Sequence, residues 1–141
     1  MIMTNEEKQL LLKDICARLP YGVMIYLHTS SEITGSAIIL NSDIYGFIED
    51  VLNNSPYEIK EIKPYFRPLT SMTEEEWLIL KEWIFIASDT KGKIYFDGFR
   101  NISAEDTIKA IDYLISHHFD YRGLIEKGLA LEAKEDMYGS N

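Results

Sequence analysis

Cysteine is almost absent from this sequence. With Cys16 alone there is no internal disulfide framework. A hydrophobic core has to carry stability, and a reducing compartment is expected. Long apolar runs are missing too: none approaches the ~20 residues that cross a bilayer. The opening stretch "MIMTNEEKQLLLKD" has neither the basic start nor the small-residue cleavage site of a secretory signal. The expected location is therefore the cytoplasm, with no membrane partner. Basic residues are scarce, 14 Lys and Arg against 23 Asp and Glu, for a net charge of -9. Nucleic-acid binding rests on cations that neutralise phosphates, so a nucleic-acid partner is disfavoured. An acidic surface favours solubility and a basic protein partner, or in a sharper form imitates the charge of DNA.

What is present describes one domain. The 141 residues, 46% hydrophobic and 26% charged, suffice to bury a sizeable core. Thr4 and Glu7 make a capping box ahead of a helix over about Asn5 to Arg18, with Leu11, Ile15 and Leu19 as its apolar stripe and Pro20 as its stop. "YGVMIYLH" and "GSAIIL" read as a hairpin, and "DIYGFIEDVLNNSP" as a short helix ended by its breaker. "YEIKEI" reads as a strand running into "KPYFRPLTSM", where Pro64 and Pro68 exclude a central sheet position. Thr73 and Glu76 cap a second long helix, "EWLILKEWIFIAS", whose nearly all-round apolar character predicts deep burial, its "WIFIA" end being also readable as strand. "KGKIYFDGF" reads as turn, strand, turn. Ser103 and Asp106 start a third long helix with Ile108, Ile111 and Ile115 as its stripe. The expected fold is α+β: a single compact domain with a small antiparallel sheet, the hairpin plus one or two strands, packed with three main helices.

The densest group of chemically capable residues is "SHHFDYRGLIEKG", residues 116–128. Each has an ordinary structural job available. His118 falls on the core side of the third helix, after Ile111 and Ile115. Asp120 suits the N-cap of a short following helix, Gly123 a close approach of another backbone, and Lys127 with Gly128 that helix's C-terminal end. Successive helical residues point ~100° apart, so His117 and His118 do not grip one ion from a regular helix. The chemical alternative is an acid–base or metal site, since histidine serves both purposes at neutral pH. Catalytic candidates are His117, His118, Asp120 and Arg122; metal candidates are His118 and Asp120 with His28 from a predicted strand. A helix-turn-helix reading would present Tyr121, Arg122 and Lys127 to DNA, against the opposing charge of Glu126 and the acidic tail.

Other constellations are thinner. Glu58/Lys60 and Glu61/Lys63 repeat a Glu-x-Lys spacing which, with Asp43 or Asp50 upstream, is found in metal-dependent nucleases; it is also frequent on solvent-facing strands. "KPYFRP" interleaves Lys63 and Arg67 with Tyr65 and Phe66, a composition able to stack on single-stranded nucleic acid. Its structural reading is a proline-stiffened edge with aromatics in the core and cations in solvent. With Tyr121 these four are the binding candidates. Cys16 has no basic activator and reads as a small core residue. "TKGK" lacks the spacing of a phosphate loop.

Two long motifs, "KPYFRPLTSMTEEE" (Lys63 to Glu76) and "AIDYLISHHFDYRGLIEKGLALEA" (Ala110 to Ala133), stand in this order. On them the chain resembles a family of small, uncharacterised proteins of gut Bacteroides and of their phages and prophages, over its middle and C-terminal third. The resemblance implies an intracellular accessory protein linked to mobile elements and carries over no activity or catalytic residues. The expectation is a non-enzymatic protein-interaction domain without cofactors; the alternative is a small metal-dependent hydrolase or nuclease using His117, His118 and Asp120.

Overall fold

The computed structural model describes residues 3–29, 36–54, 59–83 and 103–138. Helix α1 spans Asn5–Arg18, and its capping box is formed: Thr4 Oγ1 accepts from the Glu7 N–H at 3.1 Å and Glu7 Oε1 from the Thr4 N–H at 2.9 Å. Strands β1 (Met24–Thr29) and β2 (Ser36–Ile39) make the expected antiparallel hairpin. Helix α2 (Ser42–Asn54) starts where Asn41 Oδ1 accepts from the Ile44 N–H at 2.9 Å. Strand β3 (Ile59–Phe66) follows, then the second capping box, Thr73 with Glu76, opening α3 (Glu74–Leu80). Ser103 caps α4 (Ala104–Ser116), and a two-residue strand β4 (Leu131–Glu132) comes last. The fold is α+β. Among the described residues no helix is long and apolar enough to cross a membrane.

Among those residues the four strands form one sheet in the order β2-β1-β3-β4. β4 runs parallel to β3, so the sheet is mixed where a purely antiparallel one was expected. β3 is central despite Pro64, which corrects the reading of an edge. The ladder explains the exception. The Met24 N–H and the Tyr65 carbonyl point at each other across the end of β1 and β3, joined through one hydroxyl: Tyr138 Oη accepts from Met24 at 2.9 Å and donates to Tyr65 at 2.6 Å. Alternation along an antiparallel pair then makes Ile25/Pro64 a non-hydrogen-bonded pair, with the proline nitrogen facing β4's side. β4 begins only opposite Tyr65, so no ladder bond is lost at Pro64.

Two apolar clusters fill the interior of the described residues. The larger joins Leu11 and Ile15 of α1, Ile48 of α2, Ile25, Ile62 and Phe66 of the sheet, and Leu124 and Leu129. In the smaller, Trp77 and Leu80 of α3 meet Ala110 and Leu114 of α4, with Met72 and Phe119 between. The helix faces depart from expectation in two places. Leu78 and Ile79 are 59% and 41% exposed on α3, so that helix is buried on one side only. On α4 the inward stripe runs through Ala110, Leu114 and Ile115, which leaves Ile108 59% exposed. Small Ala110 lets the helix approach, and its turn fixes which isoleucines face in. Cys16 is exposed, not a core residue. "TKGK", "KGKIYFDGF" and most of "WIFIA" lie outside the described residues.

The hydroxyl bridge makes a prediction. Tyr138→Phe keeps the ring but leaves the Met24 N–H without its acceptor. Denaturant unfolding is expected to show a loss of about 1–3 kcal/mol; an unchanged midpoint would mean that the bridge does not hold the sheet end.

Candidate functional site

The chain leaves α4 through a Schellman closure: the His118 N–H donates to the Ile115 carbonyl at 3.0 Å and the Phe119 N–H to that of Leu114 at 2.9 Å. The C′ position of this closure normally holds glycine. Here it holds His118, at φ 66°, a left-handed conformation costing a side-chain-bearing residue about 1–2 kcal/mol. Phe119 then pairs with Arg67: the Arg67 N–H donates to His118 O at 2.7 Å and the Asp120 N–H to Arg67 O at 2.9 Å. The motif is thereby stitched to the continuation of β3, on the side where β1 has ended.

Asp120 caps the next turn. Its Oδ1 accepts from the Leu124 N–H at 2.8 Å and its Oδ2 from the Ile125 N–H at 2.9 Å. Residues 124–128 form a hydrogen-bonded turn, where a short helix was expected. Gly128, at φ 77°, closes it with the same Schellman pattern: its N–H donates to the Ile125 carbonyl at 3.0 Å and the Leu129 N–H to that of Leu124 at 2.9 Å. Gly123 is glycine for its φ of 73°; a Cβ there would meet nothing within 4 Å, so the expected close approach of another backbone is absent.

Beneath the motif lies a charge cluster. Arg18 is fully buried, its guanidinium carbon 3.8 Å from the centre of the Phe66 ring. Its Nε donates to Asp14 Oδ2 at 2.7 Å and its Nη2 to the Phe119 carbonyl at 2.6 Å. Arg122 Nε stands 3.0 Å from Asp14 Oδ1, an ion contact without hydrogen-bond alignment. Burial pushes the Asp14 carboxyl above its ordinary value, and the two arginines oppose that. The guanidinium carbons of Arg18 and Arg122 stand 5.7 Å and 5.0 Å from the centre of the Tyr121 ring.

The imidazoles go separate ways. His117 stacks on Tyr113 with centroids 4.0 Å apart, and its Nδ1 meets the Tyr113 carbonyl at 3.0 Å and Ser116 Oγ at 3.1 Å. The His118 ring lies flat on Tyr138, 3.7 Å away and 12° from parallel. Its pKa is lowered to about 4, by burial first and then by the charges of Arg18, His117 and Arg67, so the ring is neutral at pH 7. His28, on β1, packs edge-on to Tyr26. No three His, Cys, Asp or Glu side chains converge on a metal-sized position among the described residues. Asp43 and Asp50 are exposed on α2; Glu58 and the side chains of Lys60 and Glu61 lie outside the described set.

The four binding candidates on β3 and just after it are embedded as well. Lys63 is half-buried opposite Tyr26; Tyr65 and Phe66 are core residues. Arg67 is not solvated but grips Glu76 in a two-pronged bridge, 2.7 Å on each arm, with its guanidinium over Phe119. Burial alone would raise the Glu76 carboxyl; hydrogen bonds from Arg67 and Thr73 outweigh it and lower the pKa. Beside this bridge a cleft of about 240 Å³ opens between Arg67, Ser71 and Thr73 on one wall and Lys134, Asp136 and Tyr138 on the other. No protein-family model, curated protein or solved structure matches the chain.

Sequence reasoning missed Asp14, Arg18, Glu76 and Tyr138 as members of this network. For the first two a signal existed: they stand three and seven residues after Leu11, on the apolar stripe of α1, where an unpaired charge is untenable.

Two predictions arise from the motif. His118 has a folded pKa below its unfolded 6.5, so the unfolded chain binds the proton more readily between about 4 and 6.5. Its contribution is present in full above pH 6.5 and is lost as the pH falls through that window. Unfolding midpoints measured from pH 7 to 4.5 should drop more steeply for the wild type than for His118→Asn, which tolerates the left-handed backbone; parallel curves would contradict this. Asp120→Ala strands the buried Leu124 N–H and the part-buried Ile125 N–H. It is expected to cost about 2 kcal/mol in chemical denaturation, and a variant of wild-type stability would show that the cap is dispensable.

Proposed function

We propose that the protein is a non-enzymatic intracellular protein-interaction domain. Its binding surface is the outer side of α3 and α4, apolar anchors set among acids. The observation that carries this reading is the pair Leu78 and Ile79, adjacent in the last turn of α3 and 59% and 41% exposed. Exposed Glu74 and Glu75 accompany them on α3 and Glu82 just after it; on α4, Ile108 is accompanied by Glu105 and Asp112, and Lys81 and Lys109 are the cations among these acids. Protein interfaces combine an apolar centre with a polar rim in this way. The matching partner offers an apolar groove edged with Lys and Arg, and the net charge of -9 steers such a surface into place. The internal commitments of His117, Asp120, Arg67 and Phe66 support a binding role over a chemical one. The resemblance to proteins of gut Bacteroides phages suggests a host or phage protein as the partner.

Tagged wild type and Leu78→Glu/Ile79→Glu are compared in pull-downs from a gut Bacteroides lysate treated with nuclease, after circular dichroism has shown that both are folded. A stoichiometric protein retained by the wild type and lost from the variant is expected. Equal capture by both, or no partner for the wild type, would overturn the assignment.

A further inference from the structure

A buried guanidinium has to place five N–H groups. Arg18 Nε and Nη2 have acceptors in Asp14 and Phe119, but Nη1, equally sealed from solvent, has none among the described residues. Leaving such a donor unmet costs about 1–3 kcal/mol or more. A second unmet atom sits on the neighbouring residue of the chain: His118 Nδ1 is shut off from solvent and has no hydrogen-bond partner there either.

The two groups belong to one neighbourhood. Arg18 Nη2 is 2.6 Å from the carbonyl of Phe119, next in sequence to His118. Among charged groups Arg18 also has the largest influence on that imidazole, second only to burial. The plane of the His118 ring is fixed: it lies flat against Tyr138, whose hydroxyl is pinned by Met24 and Tyr65. The residue also holds a left-handed backbone that glycine would adopt without strain. A strained position kept by an aromatic, polar side chain implies that the side chain does something there.

We propose that a single internal water binds between Arg18 Nη1 and His118 Nδ1, accepting from the guanidinium and completing the hydrogen bonding of the imidazole. Charge decides the class of ligand. The two cations of the cluster, Arg18 and Arg122, are matched by two carboxylates, Asp14 and Asp120. An anion would leave a buried negative charge unmatched, and a cation would face Arg18 directly. What remains is a small neutral molecule that both donates and accepts, and water is that molecule. Asp14 Oδ1 and Arg122 Nε, the other two atoms without aligned bonds, need no such help. They stand 3.0 Å apart and answer each other by charge.

Oxygen-17 relaxation dispersion counts long-lived internal waters, and the test compares wild type with His118→Phe, which keeps a ring against Tyr138 and removes Nδ1. The wild type should hold one more such water than the variant; equal counts would overturn the proposal. Should the variant not fold, the wild type decides alone. Cross-relaxation between water and both the Arg18 guanidinium protons and the His118 ring is expected. Its absence, or a crystal structure with Nη1 bonded directly to Nδ1 or with chloride between them, would overturn the assignment.

Discussion

A guanidinium sealed from water sets the terms on which this fold is built. Taking an unpaired arginine out of solvent is prohibitive, so Arg18 has to bring its counter-charge with it. Asp14 supplies that charge from one turn earlier on α1, and the Phe119 carbonyl receives the other arm. Neither helix α1 nor the segment after α4 can shift without exposing a bare charge. The flat face of the guanidinium lies on Phe66, which fixes β3 against both. One side chain thus joins the first helix, the central strand and the C-terminal motif.

Strand β3 and its extension complete the arrangement through backbone groups. Along the side first lined by β1, the Tyr138 hydroxyl takes over at Tyr65, and the segment His118 to Asp120 takes over at Arg67. On the opposite side, β4 and the Ala133 N–H satisfy Phe66. Polar groups that would otherwise be buried unmet are used in sequence, so the residues that resembled an active site form a junction between layers. The Arg67–Glu76 bridge extends that junction to α3, where the proposed partner surface lies.

Local features were legible in the sequence because their causes are local. Thr4 with Glu7, Thr73 with Glu76, and Ser103 with Asp106 announce helix starts through spacings of three, and all three starts are found. Asp120 as a cap and Gly128 as a closure were legible too, though as the two ends of a short helix where the structure has a turn. Long-range geometry was not. Pro64 reads as an edge residue unless one knows where β4 begins, and that depends on a parallel pairing with residues 131 and 132. The rotation of α4 that exposes Ile108 follows from packing with α3, which periodicity in one helix does not contain. Among the site residues, the tie between Arg18 and Phe119 spans 101 positions and leaves no mark on either stretch alone.

The anchoring of Tyr138 bears on the order of assembly. Its hydroxyl closes the end of the β1–β3 ladder across 114 residues of separation from Met24. Contacts so distant along the chain are slow to form, because loop entropy is lost before any of them is gained. During synthesis β1, β2 and β3 are available long before residue 138, yet the Met24 N–H and Tyr65 carbonyl wait for it. Until then those two groups, which face each other between neighbouring strands, have only water to satisfy them. The end of the central ladder is therefore closed by a late contact, one that needs residue 138 in place.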